Sequence, residues 1–121
     1  MAKILLAEDD LFLRDIYLEI LADEGFDVTA AVDGSEALSK ILEGGWDLVL
    51  LDVVMPKVTG IEVLQKIKDQ SPKSLAKHIV LMTNSEEAKD VAEVVDMTDG
   101  FMLKSEFTPD KFVVEVKKYL N

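Results

Sequence analysis

Glu8, Asp9 and Asp10 stand directly after the apolar run Ile4-Leu5-Leu6-Ala7, and Asp52 stands directly after Leu48-Val49-Leu50-Leu51. Runs this short and this apolar read as buried strands of a parallel sheet. An acid just past such a strand lies at the sheet's carboxyl end, where open α/β sheets bind their ligands. Carboxylates gathered there repel one another unless a cation joins them, and grouped hard oxygen donors suit Mg²⁺ or Ca²⁺. The chemistry this points to is metal-assisted work on a phosphoryl group, with one carboxylate as the acceptor.

Two further runs end on groups that suit the same task. Ile79-Val80-Leu81-Met82 leads to Thr83, and the short run from Gly100 leads to Lys104. A hydroxyl can donate a hydrogen bond to a phosphoryl oxygen, and an ammonium supplies positive charge to the equatorial oxygens. Taken singly, each residue has a plainer role. An acid after a strand often only caps the next helix. A threonine is commonly a turn residue, and a lysine is commonly solvated. The joint pattern is more specific, because each group falls at the same end of a different strand.

The elements that must position these groups alternate along the chain. Strands are expected near Lys3–Ala7, Phe26–Ala31, Asp47–Asp52, Ile79–Thr83 and Gly100–Lys104. A helix from Leu11 to Glu24 carries Leu13, Ile16, Tyr17, Ile20 and Leu21 at helical spacing, with Asp10 as its N-cap and Gly25 at its end. A second helix begins near Ser35, buries Ala37, Leu38, Ile41 and Leu42, and stops at Gly44-Gly45. A third carries Ile61, Val63, Leu64 and Ile67, after a loop that Pro56 keeps from continuing the strand. Asp69–His78 reads as a polar loop. A fourth helix holds Ala88, Val91, Ala92 and Val95. Thr108-Pro109 opens a last one lined by Phe112, Val113, Val116, Tyr119 and Leu120. Alternation of this kind implies an α/β chain, with a parallel sheet covered by helices on both faces.

Composition narrows the function classes. The 121 residues suffice for one domain. No cysteine is present, so disulfides and thiolate metal sites are excluded. A formal net charge of -11 opposes direct contact with nucleic acid or with an anionic membrane surface. No apolar stretch approaches the roughly 20 residues that span a bilayer. The start reaches acid too soon for a signal peptide, so a cytoplasmic location is expected. Lys111, Lys117 and Lys118 read as a solvated helix face. His78 has no histidine or cysteine neighbours that would make it a metal ligand, and Trp46 should pack at the sheet's far edge. The methionines read as core gap-fillers. Walker and Rossmann glycine patterns are absent. Asp52 is followed by Val53-Val54 rather than by a second acid, which argues against an aspartyl-phosphate phosphatase.

Leu5-Leu6-Ala7-Glu8-Asp9-Asp10, then Leu51-Asp52-Val53-Val54-Met55-Pro56 with Gly60, then Leu81-Met82-Thr83, then Gly100-Phe101-Met102-Leu103-Lys104 together resemble the receiver domain of two-component response regulators. The resemblance covers essentially the whole chain, with 1–121 as a single receiver domain. It implies a flavodoxin-like, doubly wound five-stranded parallel sheet of order 2-1-3-4-5 with five helices. It implies a signalling switch rather than an enzyme, one that assists only its own phosphorylation and dephosphorylation. Asp52 would be the phosphoacceptor, served by a sensor histidine kinase or a phosphotransfer protein. Glu8, Asp9, Asp52 and the backbone carbonyl of Val54 would hold Mg²⁺, with Mn²⁺ as the alternative ion. Thr83 and Lys104 would hold the phosphoryl group, and Thr83 with Phe101 would form the switch. The face of the fourth helix, fifth strand and last helix would then change its partner, an output protein or an effector domain on a longer chain, and the unit itself would be a monomer or a phosphorylation-dependent dimer. Ser105 stands where many receivers carry proline, Asn84 where a small residue is usual, Phe101 where tyrosine is common, and Met97-Thr98 where Gly-Ala is frequent. The departures at Asn84 and Ser105 motivate a second reading, a receiver-like protein-binding module that works without phosphorylation.

Overall fold

A computed structural model describes residues 1–83 and 95–120. The helix expected at Ala88, Val91 and Ala92 lies outside the described residues, as does Asn84. Val95–Met97 forms a 3-10 turn. Five parallel strands, β1 (Lys3–Ala7), β2 (Asp27–Ala31), β3 (Trp46–Asp52), β4 (Ala76–Thr83) and β5 (Gly100–Leu103), form one sheet in the order β2-β1-β3-β4-β5. The helices are α1 (Leu11–Asp23), α2 (Gly34–Glu43), α3 (Gly60–Ile67), the single turn α4 (Pro72–Leu75) and α5 (Pro109–Leu120).

The two-residue period of the strands divides the core. Leu5, Ala7, Val49, Leu51, Ile79 and Leu81 face a cluster completed by Ala37 and Ile41 of α2 and Val63, Leu64 and Ile67 of α3. Ile4, Leu6, Leu48, Leu50, Val80 and Met82 face the other side, where Tyr17 and Leu21 of α1 and Phe112 and Val116 of α5 cover them. Burial on both faces explains why these strands are continuous apolar runs rather than alternating ones. Tyr17 and Phe112 stack with ring centroids 4.7 Å apart, which joins α1 to α5.

Helix ends follow the expected chemistry. Asp10 accepts from the Leu13 N–H at 3.1 Å and caps α1, and Gly25 beyond it takes φ 85°. Thr108 accepts from the Lys111 N–H at 3.3 Å and caps α5. Of the lysines read as a solvated face, Lys117 pairs with Glu24 and Lys118 with Glu115. Met55, Met82 and Met102 are buried as gap-fillers, whereas Met1 is exposed.

Several expectations are corrected: β2 begins at Asp27 rather than Phe26, β5 ends at Leu103 rather than Lys104, and α2 begins at Gly34 rather than Ser35. The segment Asp69–His78 is not wholly loop: Pro72–Leu75 makes one helical turn, and β4 begins at Ala76 rather than Ile79. Its early start is polar because Lys77 and His78 lie at the sheet's rim, so periodicity there carries no signal. Leu42 does not belong to the buried face of α2; it is 46% exposed. The third strand begins at Trp46, whose indole donates to the Lys40 carbonyl at 2.8 Å while the Lys3 ammonium lies 4.4 Å from the ring centroid. The peptide bond between Lys104 and Ser105 is trans.

Candidate phosphoryl site at the carboxyl rim

The strand ends assemble the site. Asp52 is the last residue of β3 and Thr83 the last of β4. Glu8 follows β1 and ties itself to β2 through its N–H, which donates to the Ala31 carbonyl at 3.1 Å. Lys104 follows β5 and opens a 3-10 turn, Lys104–Glu106. Because the strands are parallel and in register, four separate segments deliver their polar residues to one rim.

Glu8 and Asp52 are buried, at 0% and 3% exposure. Two carboxylates in so little water need a counter-charge. Lys104 provides it: its Nζ donates to Glu8 Oε1 at 2.7 Å and to Asp52 Oδ2 at 2.7 Å. The second Asp52 oxygen, Oδ1, accepts from the Val54 N–H at 3.3 Å. Asp9 is exposed, yet one of its oxygens lies within 4.8 Å of oxygens from both Glu8 and Asp52. One ammonium therefore pairs with two of three clustered acids, and the cluster keeps a net negative charge.

That imbalance shows in the proton affinities. Burial, reinforced by Glu8, pushes the Asp52 carboxyl up to about 8, against the pull of Lys104. Burial alone would lower Lys104, but its bonds to Asp52 and Glu8 outweigh it and hold the ammonium above its ordinary value. Burial also raises the Tyr17 phenol, which lines the same cavity. The cavity measures about 400 Å³, and Glu8, Asp9, Asp52, Val54, Lys104 and Ser105 lie on its wall. A set of hard carboxylate oxygens with unbalanced negative charge, open to solvent through Asp9, fits a small divalent cation of the Mg²⁺ class.

Of the residues singled out in the sequence, Glu8, Asp9, Asp52, Val54 and Lys104 share this cavity. Thr83 is buried one residue past Met82, the β4 partner of Asp52, and is not on the cavity wall. Phe101 lies away from the acids; it is half exposed on β5, beside a groove against α5. Asp10 serves as the α1 cap and also borders the cavity. Sequence reasoning did not single out Arg14, which donates to the carbonyls of Glu8 at 3.1 Å and Asp9 at 3.4 Å and so fixes the turn that presents both acids. Its place one helical turn past the cap is the signal that could have found it. Gly60 closes the motif that follows Asp52. A Cβ there would meet the Asp52 carbonyl oxygen at 2.3 Å, so α3 approaches the acid's own backbone only because residue 60 has no side chain.

Comparison with known proteins places this arrangement. The family model described as "Response regulator receiver domain" matches residues 4–117. Transcriptional regulatory protein ResD of Bacillus subtilis is 35% identical over 118 residues, 98% of this chain and 48% of ResD. The CpxR homolog of Haemophilus influenzae is 35% identical over 122 residues, 99% of this chain and 51% of that protein. The chain thus spans about half the length of these curated relatives. Among solved structures, response regulator TrrA of Thermotoga maritima, in complex with Mg²⁺-BeF, superposes with a TM-score of 0.83 at 34% identity, covering 99% of this chain and 100% of that one. Chemotaxis response regulator CheY4 of Vibrio cholerae gives 0.84 at 31% identity, covering 99% of each. With the family pattern matched along nearly its whole length and the doubly wound five-stranded sheet in the same order, this chain belongs to the receiver domains of two-component response regulators.

Proposed function

We propose that residues 1–121 form one receiver unit in which Asp52 accepts a phosphoryl group, and that the modification selects the unit's partner. The observation that carries this reading is the Lys104 ammonium held 2.7 Å from both Glu8 and Asp52, with the Asp9 carboxylate in the same cluster. An acceptor needs a carboxylate within reach of positive charge and bordering a cavity that a donor can enter, and Asp52, though itself buried, lines the cavity beside Lys104.

Glu8, Asp9, Asp52 and the Val54 carbonyl would hold the divalent cation, Mg²⁺ or alternatively Mn²⁺. When bound, that ion supplies charge for the phosphoryl oxygens and relieves the repulsion among the acids. In the transfer, an Asp52 oxygen bonds to phosphorus as the bond to the donor breaks. The electron pair leaves with the donor nitrogen of a phosphohistidine, or with the leaving oxygen of a small acyl phosphate. The product is an acyl phosphate carrying roughly two negative charges. Lys104 already touches the acceptor carboxylate, so its ammonium is in place to donate to a phosphoryl oxygen there. Thr83, at the neighbouring strand end, is assigned as the second donor.

Receiver domains work with histidine kinases and with output domains. Here the donor is assigned as a sensor histidine kinase or phosphotransfer protein. The output is a separate protein or an effector on a longer chain. We assign the response to Thr83, the last residue of β4, and Phe101, which lies near the start of the neighbouring β5 and pairs with Leu81, two residues before Thr83. A charge drawing Thr83 inward alters the packing under Phe101, and so the face of β5 and α5 that a partner reads. In this reading the protein catalyses only its own modification and its reversal.

Intact mass after incubation with acetyl phosphate tests the assignment. One added phosphoryl group is expected with Mg²⁺, none with a chelator, and none in Asp52→Asn. Equal labelling of Asp52→Asn would overturn the acceptor assignment. No labelling by any donor would favour a binding module that works without phosphorylation.

A further inference from the structure

The loop 53–59 leaves Asp52 and runs back toward α3, and it is pinned at an unexpected place, the N-terminus of α2. Gly34 opens that helix, and a Cβ built on it would lie 1.5 Å from the Val58 carbonyl oxygen and 2.8 Å from the Val58 Cβ. The Gly34 N–H donates to the Pro56 carbonyl at 3.4 Å. The first N–H of α2 thus holds the Pro56 carbonyl, and the Val58 carbonyl packs in the space that a side chain at 34 would fill. Beside them Asp33 accepts from the Glu36 N–H at 2.9 Å as the α2 cap and holds the Lys57 ammonium at 3.4 Å.

The pinned segment carries strain. The Val58 N–H closes on the Pro56 carbonyl at 2.8 Å, and Lys57 between them has φ 69°. A three-residue turn with its central φ positive is the rare, strained hand of the γ-turn. Such backbone persists only where its surroundings over-determine it. At the loop's other end Gly60 presses on the Asp52 carbonyl, and its N–H donates to the Val53 carbonyl at 2.9 Å. Val54 lies between these two clamps, and its N–H is the one that steadies Asp52 Oδ1.

We infer that Gly34 is a positioning residue for the phosphoryl site: by admitting the Val58 carbonyl at the head of α2, it fixes the strained loop that sets the main chain of Val54 against Asp52. The inference rests on the roles proposed above for Asp52 and Val54. Any side chain at 34 must displace a backbone carbonyl, not a flexible side-chain end. The loop moves with it. A displacement of about 1 Å at a reacting group costs on the order of 10- to 100-fold in rate.

Gly34→Ala tests this by three readouts. The Val54 amide resonance should shift in metal-free protein. The Mg²⁺ dissociation constant should rise about tenfold, and labelling by acetyl phosphate should slow about 10- to 100-fold at saturating Mg²⁺. A variant that melts earlier but keeps its Val54 resonance and its Mg²⁺ affinity would overturn the inference, leaving Gly34 a mere packing residue. If the unaltered protein takes no phosphoryl group, the acceptor reading fails, while the resonance and the Mg²⁺ titration still judge the clamp. Should Gly34→Ala not fold, Val58→Ala removes the loop's anchor in the core without adding an atom. It should weaken Mg²⁺ binding in the same direction, by about threefold, and unchanged binding would equally overturn the inference.

Discussion

Lys104→Met should cost the metal-free protein about 3 kcal/mol of stability, read as a lower urea midpoint. The methionine keeps an unbranched apolar stem of similar length up to the ε carbon and removes the ammonium. Glu8 and Asp52 then face each other in the interior with no counter-charge. Breaking such a pair is far more costly than never having it, because a desolvated charge is left behind. Without Lys104, Asp52 keeps its proton to higher pH than in the parent, so the penalty should grow as pH rises above about 8, where the parent's Asp52 ionises. Mg²⁺ should restore part of the loss, since a bound cation replaces the missing one. Equal midpoints for the two proteins, with and without Mg²⁺, would refute the claim that Lys104 neutralises this cluster.

Asp52→Asn should have the opposite sign. The Asp52 carboxyl lies near 8 when folded, against roughly 3.9 in an unfolded chain. Between those values the folded state holds a proton that the unfolded state has released. Stability therefore falls as pH rises from about 4 to about 8, and the fall stops once folded Asp52 has ionised. Asparagine cannot ionise, and Lys104 still pairs with Glu8. The variant should gain about 1–3 kcal/mol over the parent at pH 8, and the gain should shrink toward pH 4. Chemical denaturation at pH 5, 7 and 8.5 measures it, and a difference that stays flat across that range would sink the account. The same proton couples to metal uptake. An ion that binds ionised Asp52 must displace it, so Mg²⁺ affinity should weaken by up to about tenfold for each pH unit below 8.

Much of the fold and of the candidate site is legible in the sequence, because the signals are local. Apolar runs ending in Glu8, Asp52, Thr83 and Lys104 state both where strands stop and what they carry, and parallel pairing then leaves one rim for all four. The sheet order was different: periodicity does not encode it, and only the resemblance supplied it. Three features escaped for physical reasons. The polar start of β4 hides in a loop-like stretch because Lys77 and His78 sit where the sheet meets water. Arg14 acts through backbone carbonyls, which no side-chain pattern announces. Gly34 acts by what it lacks, against a residue 24 positions away, and such a contact exists only after α2 has docked beside the loop.

Trp46 has a practical consequence for anyone watching this protein in solution. It is the sole tryptophan, buried under Lys3 at the opening of β3, while Asp52 closes the same strand. Six steps of extended chain put them roughly 20 Å apart. Its emission should therefore report faithfully on unfolding and stay nearly blind to ion uptake or modification at the rim. Fluorescence quenching is the wrong assay for ligand binding here, and a silent titration should not be mistaken for an inert site.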